Sequence, residues 1–350
     1  MDVEETVLLT RDPVRVGVVG AGRIGSAHAR LLAGEVRGAR LVAVADPRPG
    51  AAEAVAGPWG VRASTDPQAL ISDPAVEAVV VTAVTEAHAD LVVAAAEAGK
   101  AVFCEKPAGS TTAEVQRGIE ATDRAGVVFQ VGFNRRFDPD FVAARAAVEA
   151  GEVGRVYLLR SLTRDPGLAD PFAVPAWAIF RLTLIHDFDT LLWLHPDADP
   201  VSVHAVADAL VAPEAKAAGL LDTAVVTIRF SDGAIATAEA SFSATYGYDV
   251  RAEVFGSGGL VTVETAAAAV HRSDARGRRS DTPRGDVALF AGAYTAEFRS
   301  FAEAVRFGRA PRVGGRDALR ALRVAEACIE SVRTGVPAKV AGGVSGGVGA

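Results

Sequence analysis

The sequence predicts an α/β protein: a doubly wound parallel sheet, then an α+β domain with an open, mostly antiparallel sheet. Three observations carry this. From Val14 to about Val131, short Val-rich runs without alternation recur between Ala-rich stretches of helical period, as strands buried on both faces require. Beyond Gly154 the texture changes to alternating strands joined by tight turns. Between the first run and the first helical stretch stands Gly20-Ala21-Gly22-Arg23-Ile24-Gly25.

In chain order, strands are expected at Val14–Val19, Leu41–Ala45, Ala78–Val81, Ala101–Cys104 and Val127–Val131. Helices are expected at Ile24–Ala33, Ala87–Ala98 and Thr112–Ala125, with Gly99 and Gly126 as C-terminal caps. In the second domain, Val226, Ile228 and Phe230 face one way and Val225, Thr227 and Arg229 the other, with Asp232-Gly233 turning the chain into a strand at Ile235–Phe242. A second hairpin turns at Gly256–Gly259, between Arg251–Phe255 and Leu260–Glu264. One helix is expected at Ile185–Leu194 and one or two within Tyr294–Val332; Arg272–Asp286, polar and without period, reads as an exposed loop. The division is a first domain at 13–133, a second at 134–341, and tails at 1–12 and 342–350.

Composition sets the class of partner. With 50% hydrophobic and 23% charged residues this is a soluble globular chain, and a net charge of −7 argues against nucleic acid and anionic lipid and for a small molecule. No apolar run approaches the roughly 20 residues of a membrane span, and no signal peptide is expected. Two distant cysteines, Cys104 and Cys328, read as packed thiols in a reducing cytoplasm. No His/Cys/carboxylate set has metal-ligand spacing, so no metal is expected.

The glycine string carries the first chemistry. Gly20 permits the tight turn, Gly22 lets backbone approach a pyrophosphate, and Gly25 lets helix and strand pack closely; the helix N-terminus at Arg23 and Ile24 offers N–H groups to the phosphates. Asp46 ends the second strand, where a carboxylate accepts from an adenosine ribose diol; together these mark a Rossmann dinucleotide site. Asp46 argues for NAD, while Arg48 leaves NADP open. His88 starts a helix near the cofactor edge and is a cofactor-side candidate.

Of the four lysines, Lys106 follows the strand Ala101–Cys104 within Glu105-Lys106-Pro107, at the carboxyl end where open α/β sheets bind ligands. Its amine can hydrogen-bond a substrate hydroxyl and stabilise oxyanion character; Glu105 can hold that ammonium or contact the nicotinamide ribose, and Pro107 suits a cis bond. His186 lies in Ile185-His186-Asp187-Phe188-Asp189, where positions 186 and 189 share a helix face and the imidazole can take a hydroxyl proton.

In this order GAGRIG, VFCEKP, GFNRRFD and IHDFD resemble the Gfo/Idh/MocA family of nicotinamide-dependent oxidoreductases, over Val14 to Val340. The Gly132–Asp138 string, Thr163-Arg164-Asp165-Pro166 and Tyr246-Gly247-Tyr248-Asp249 are most similar to its myo-inositol 2-dehydrogenases. The resemblance implies a homodimer or homotetramer assembled through the open sheet. It implies that Lys106 engages the reacting hydroxyl, that His186 is the general acid/base, and that Arg136 lies near the substrate with Asp189 on the His186 face. Tyr246 and Tyr248, two apart on an expected strand, point the same way, either into the cleft or into the packing of a sheet face.

The chain departs from the family next to the chemistry. The family has Gly-Gly before the histidine motif and an Asp four residues before the histidine; here Trp177, Ala178 and Leu182 stand there, and Val84 replaces the usual proline after the fourth strand. Trp177 fills space a glycine leaves open, and the Leu182 side chain cannot hydrogen-bond to the His186 imidazole. Three readings follow: a dehydrogenase oxidising a cyclitol or sugar hydroxyl, the same site run as a keto-sugar reductase, or a nucleotide-binding sensor or scaffold with weakened catalysis.

Overall fold

The computed structural model describes residues 12–264, 271–274, 277–280 and 282–342. Apart from Asp12 and Gly342, the expected tails lie outside the described residues. Two compact units divide the chain, the first running to Phe137 and including Ala291–Leu319, the second covering Asp138–Phe290 and the chain from Arg320. The linear division at 134 therefore misses one event: the Ala291–Phe307 helix returns to the first unit.

The first unit alternates strand and helix: β1 (Val14–Val19), α1 (Arg23–Gly34), β2 (Ala39–Ala45), α2 (Ala51–Ala56), β3 (Arg62–Ser64), α3 (Pro67–Ile71), β4 (Ala78–Val81), α4 (Thr85–Glu97), β5 (Ala101–Cys104), α5 (Thr112–Ala125) and β6 (Phe129–Val131). Every pairing is parallel, in the order β3-β2-β1-β4-β5-β6. Every residue of β4 and β5 is buried, which is why these runs show no alternation. The order reverses between β1 and β4, so their loops diverge and open a crevice at the carboxyl ends. Gly126, at φ 65°, ends α5 as expected, and the Thr111 side chain caps its start by accepting from the Glu114 N–H. The returning helix packs Phe298 and Phe301 on Phe103 of β5, with ring centroids at 4.7 and 5.9 Å.

The second unit contains α6 (Pro139–Glu149), β7 (Val156–Arg164), α7 (Leu184–Leu194), β8 (Pro200–Asp208), β9 (Thr223–Phe230), β10 (Ile235–Ser241), β11 (Asp249–Gly256), β12 (Leu260–Glu264), a separate ladder of β13 (His271–Asp274) and β14 (Gly277–Ser280), and β15 (Ala338–Lys339). The seven-stranded sheet runs β12-β11-β7-β10-β9-β8-β15 and is antiparallel except for β7 with β10. Along β9 the alternation is as expected, with Val226, Ile228 and Phe230 buried and Val225, Thr227 and Arg229 exposed. α7 packs on β7 and β10, covering one face. On the other, Leu260, Phe255, Leu158 and Ile235 stand in one cross-strand row and are all exposed.

Two expectations are corrected. The stretch taken as a loop at Arg272–Asp286 contains the β13–β14 ladder, because a hairpin needs paired backbone and no apolar period. Tyr246 and Tyr248 lie in the turn before β11, with Gly247 at φ 115° between them, so the extended alternation that would align their side chains is broken.

Candidate active site

The nucleotide cradle is built by glycine geometry. Gly20 has φ 105°, and a Cβ there would come within 2.5 Å of the Thr82 carbonyl carbon. A Cβ on Gly25 would collide with the Gly20 carbonyl oxygen, so only glycine lets α1 pack this close to β1. Gly22 differs: a Cβ there would meet nothing within 4 Å, which leaves open space over the start of α1. α1 has neither a side-chain cap nor an acidic residue in its first turn, so no acid of the helix itself offsets the positive end that it would turn toward a pyrophosphate. Arg23 is exposed there and Ile24 half-buried.

Asp46 follows β2 and is buried. It accepts from the Ala21 N–H at 2.7 Å and from the Arg48 backbone N–H at 2.9 Å, while the Arg48 guanidinium grips both oxygens at 2.9 Å. That two-pronged bond, working against burial, holds the Asp46 carboxyl well below the usual carboxylate range. Arg48 is thus committed to Asp46. A 2'-phosphate would have to draw it away and sit beside a carboxylate, which favours NAD. These features fit a dinucleotide: the backbone cradle would hold the pyrophosphate and Asp46 the adenosine ribose.

The His88 ring is buried, with Nδ1 2.7 Å from the Pro107 carbonyl oxygen and Nε2 3.0 Å from that of Ala83, which places it between the loops that follow β4 and β5. Val84, at the N-cap of α4, is exposed with φ −67°, a value that the proline expected there from the resemblance would also take.

Lys106 sits beyond the end of β5, half-buried, and the Lys106–Pro107 bond is cis. Glu105 turns inward: Oε1 lies 2.7 Å from Nε2 of His28, and Oε2 accepts the Lys106 backbone N–H at 3.0 Å. Burial pushes the Glu105 carboxyl up, but the His28 bond and the nearby Lys106 charge outweigh it and hold the acid below its usual range. Sequence reasoning missed His28, which is 77 positions away and has no local signal. Arg136 is buried on the short turn Asn134–Phe137, and its guanidinium donates to Asp317 at 3.0 Å.

In the second unit His186 is half-buried on α7, and its neighbour Asp187 is fully buried. Ser161 and Thr163 of β7 donate to the two Asp187 oxygens at 2.6 and 2.7 Å, pinning the first turn of α7 to the sheet. Asp189 is buried on the same helix. α7 is entered through a π-turn at Ile179–Thr183, preceded by Trp177 at φ 65° with its indole 5.0 Å from the Arg333 guanidinium carbon. Leu182 is half-buried within that turn. The exposed Tyr246 donates its O–H to Asp249 at 2.6 Å and lies 3.3 Å from Arg164. Arg164 alternates along β7 with Thr163, so that hydroxyl is on the Arg164 side of the sheet, away from Asp187. Tyr248 is half-buried, with its N–H on the Pro283 carbonyl.

A glycine cradle, a buried carboxylate after β2, a lysine at a strand end and a histidine on an anchored helix define a nicotinamide-dependent oxidoreductase. The chain belongs to the Gfo/Idh/MocA oxidoreductase family: residues 14–133 match its NAD-binding Rossmann fold and residues 145–340 its C-terminal alpha/beta domain. It is 38% identical to a scyllo-inositol 2-dehydrogenase (NAD(+)) of Bacillus subtilis (strain 168), over 93% of this chain and 96% of the relative. It is 39% identical to an inositol 2-dehydrogenase of Rhizobium meliloti (strain 1021), over 91% and 97%. Among solved structures it resembles scyllo-inositol dehydrogenase from Lactobacillus casei with bound NAD(H) and scyllo-inositol, at TM-score 0.90 and 25% identity, covering 94% of this chain and 100% of that one.

Proposed function

We propose that this protein oxidises a ring hydroxyl of an inositol-like cyclitol to a ketone with NAD as acceptor. The observation that carries this is Lys106 and His186 together in a chain whose Asp46 is already committed to Arg48, supported by inositol dehydrogenases at 38–39% identity over most of the chain. The glycine cradle and Asp46 would hold NAD, which would supply the acceptor for the hydride of the carbinol carbon. The Lys106 ammonium hydrogen-bonds the reacting oxygen and steadies its developing negative charge, and His186 accepts the hydroxyl proton. Asp187 keeps α7 seated while His186 gains charge. Asp189, Trp177, Arg136 and Tyr248 are the residues from which recognition of the ring hydroxyls would come. The reverse reaction on a keto-cyclitol uses the same groups.

One observation favours a second reading. Leu182 is apolar where the family resemblance expects a carboxylate, so a nucleotide-binding sensor with weakened catalysis is the competing assignment. Reduced-nicotinamide absorbance with NAD or NADP against a panel of inositols and aldoses separates the two. Turnover with an inositol is expected; tight NAD binding with no polyol turned over would overturn the dehydrogenase. Leu182→Asp should raise kcat if the missing carboxylate limits the rate.

Self-assembly through the open sheet face accords with the exposed Leu158, Ile235, Phe255 and Leu260 row, and a cytoplasmic location accords with the two buried free thiols. Light scattering of Phe255→Glu should then report a smaller particle than the parent protein.

A further inference from the structure

His28 has no part in the chemistry above, yet it is fully buried in the first unit and makes a hydrogen bond of charge-assisted length. It stands on α1 three residues after Gly25, and its ring is enclosed edge-on by Phe103, Tyr294 and Phe298, with centroids at 6.0, 5.3 and 4.7 Å. The one polar contact it makes in this apolar box is Nε2 to Oε1 of Glu105, on the corner that leaves β5. Gly132 opens space for that carboxylate: a Cβ there would come within 3.1 Å of all three carboxyl atoms. With one oxygen on His28, Glu105 uses the other to hold the backbone N–H of Lys106.

A second buried acid shows why the arrangement is specific. Glu297, on the Ala291–Phe307 helix, is fully buried with neither carboxyl oxygen hydrogen-bonded. Burial and the Glu105 charge push its carboxyl far up, so it stays neutral and leaves Glu105 as the carboxylate of this pocket.

We infer that His28 is a positioning residue for Lys106: by fixing the Glu105 carboxylate it fixes the strand-to-loop corner from which Lys106 projects. This rests on the reading of Lys106 as the group that engages the reacting hydroxyl. The same bond ties α1, whose N-terminus forms the pyrophosphate cradle, to the lysine's corner, so one imidazole keeps the two in register. Its loss leaves Glu105 buried without its main partner, and the carboxylate can no longer hold the Lys106 backbone.

The test uses the full chain with NAD and myo-inositol, comparing His28→Leu, His28→Asn and His28→Gln with Lys106→Ala, and reads kcat, KM for inositol, NAD affinity by fluorescence titration, and Tm. Leu cannot donate and Asn is too short, whereas the Gln amide can reach Glu105. The expected result is a fall in kcat of about 10- to 100-fold in the Leu and Asn variants. Their NAD dissociation constants should stay within about threefold of the parent, with most of the kcat recovered in His28→Gln. Unchanged kcat in Leu and Asn while Lys106→Ala collapses overturns the inference alone. An equal loss in all three His28 variants assigns a packing role and also overturns it. Unchanged kcat in Lys106→Ala removes both this link and the Lys106 assignment. If His28→Leu does not fold, His28→Asn against His28→Gln decides.

Discussion

Both helices that carry candidate chemistry start just after a residue in the left-handed backbone region, and the two residues could hardly differ more. Before α1 it is Gly20, at φ 105°, packed so closely on Thr82 that no side chain fits. Before the turn into α7 it is Trp177, at φ 65°, the only residue other than glycine with positive φ among the described residues. Glycine adopts this conformation freely, whereas a bulky side chain costs about 1–3 kcal/mol there. The Arg333 guanidinium over the indole returns roughly 0.5–1 kcal/mol of that. In the nucleotide-binding region residue type and backbone agree; in the second unit a glycine-like backbone is held by a tryptophan. The buried acids repeat the contrast. Glu105 depends on one histidine from another element, while Asp187 is shared between two hydroxyls of one strand, Ser161 and Thr163.

This contrast can be broken or sharpened by substitution. The largest effects belong to the chemistry: Lys106→Ala and His186→Ala should each lower kcat by about 10²- to 10⁴-fold, and a normal rate in either removes that residue from the mechanism. Asp187→Ala strands two buried hydroxyls and should cost about 2–4 kcal/mol, seen as a fall of roughly 5–10 °C in Tm; an unchanged Tm would show that α7 is seated by apolar packing alone. Asp46→Ala frees Arg48 and should weaken NAD about 10- to 100-fold while improving the NADP to NAD ratio, as titration with both cofactors would reveal.

Smaller effects probe the strained and buried residues. Trp177→Gly relieves about 1–3 kcal/mol of backbone strain and loses roughly 0.5–1 kcal/mol from the Arg333 contact, so stability should hold or rise by up to about 2 kcal/mol in denaturant unfolding; a clear loss would make the indole a main support of the second unit. Glu297→Gln is a pH experiment. The folded protein holds the Glu297 proton more tightly than the unfolded chain does, so this group's stabilisation is complete below the ordinary value of 4.5 and is lost as pH rises. The Tm of Glu297→Gln should therefore gain on the parent steadily as pH rises above 4.5, and a constant difference would mean that Glu297 does not carry its proton in the native state.

Much of the first unit was legible because its rules are local. A strand buried on both faces shows as an unbroken apolar run, and Gly20, Gly22 and Gly25 mark a turn whose geometry admits little else. The Glu105-Lys106-Pro107 corner and the His186 helix were legible in order and type. The inward turn of Glu105 was not, because its partner His28 lies on a distant segment. The surroundings of His88 were not legible either: the ring lies between the carbonyls of Pro107 and Ala83, one of them 19 positions away. Tyr246 and Tyr248 were placed on a strand by their spacing, and the positive φ of Gly247 defeats that logic.

By itself, then, the sequence determined the class of protein: the strand-helix order, the glycine turn ahead of α1, and the places of Asp46, Lys106 and His186 after β2, after β5 and on α7. These follow from periodicity and from residue types only certain backbones accept. The tertiary structure alone decided what stands behind each of them. Arg48 closes on Asp46, His28 on Glu105, Ser161 and Thr163 on Asp187, and Trp177 holds a conformation its side chain disfavours. The three pairings each give a buried acid a partner once water is removed, and for Glu105 and Asp187 which partner is within reach depends on how distant segments pack.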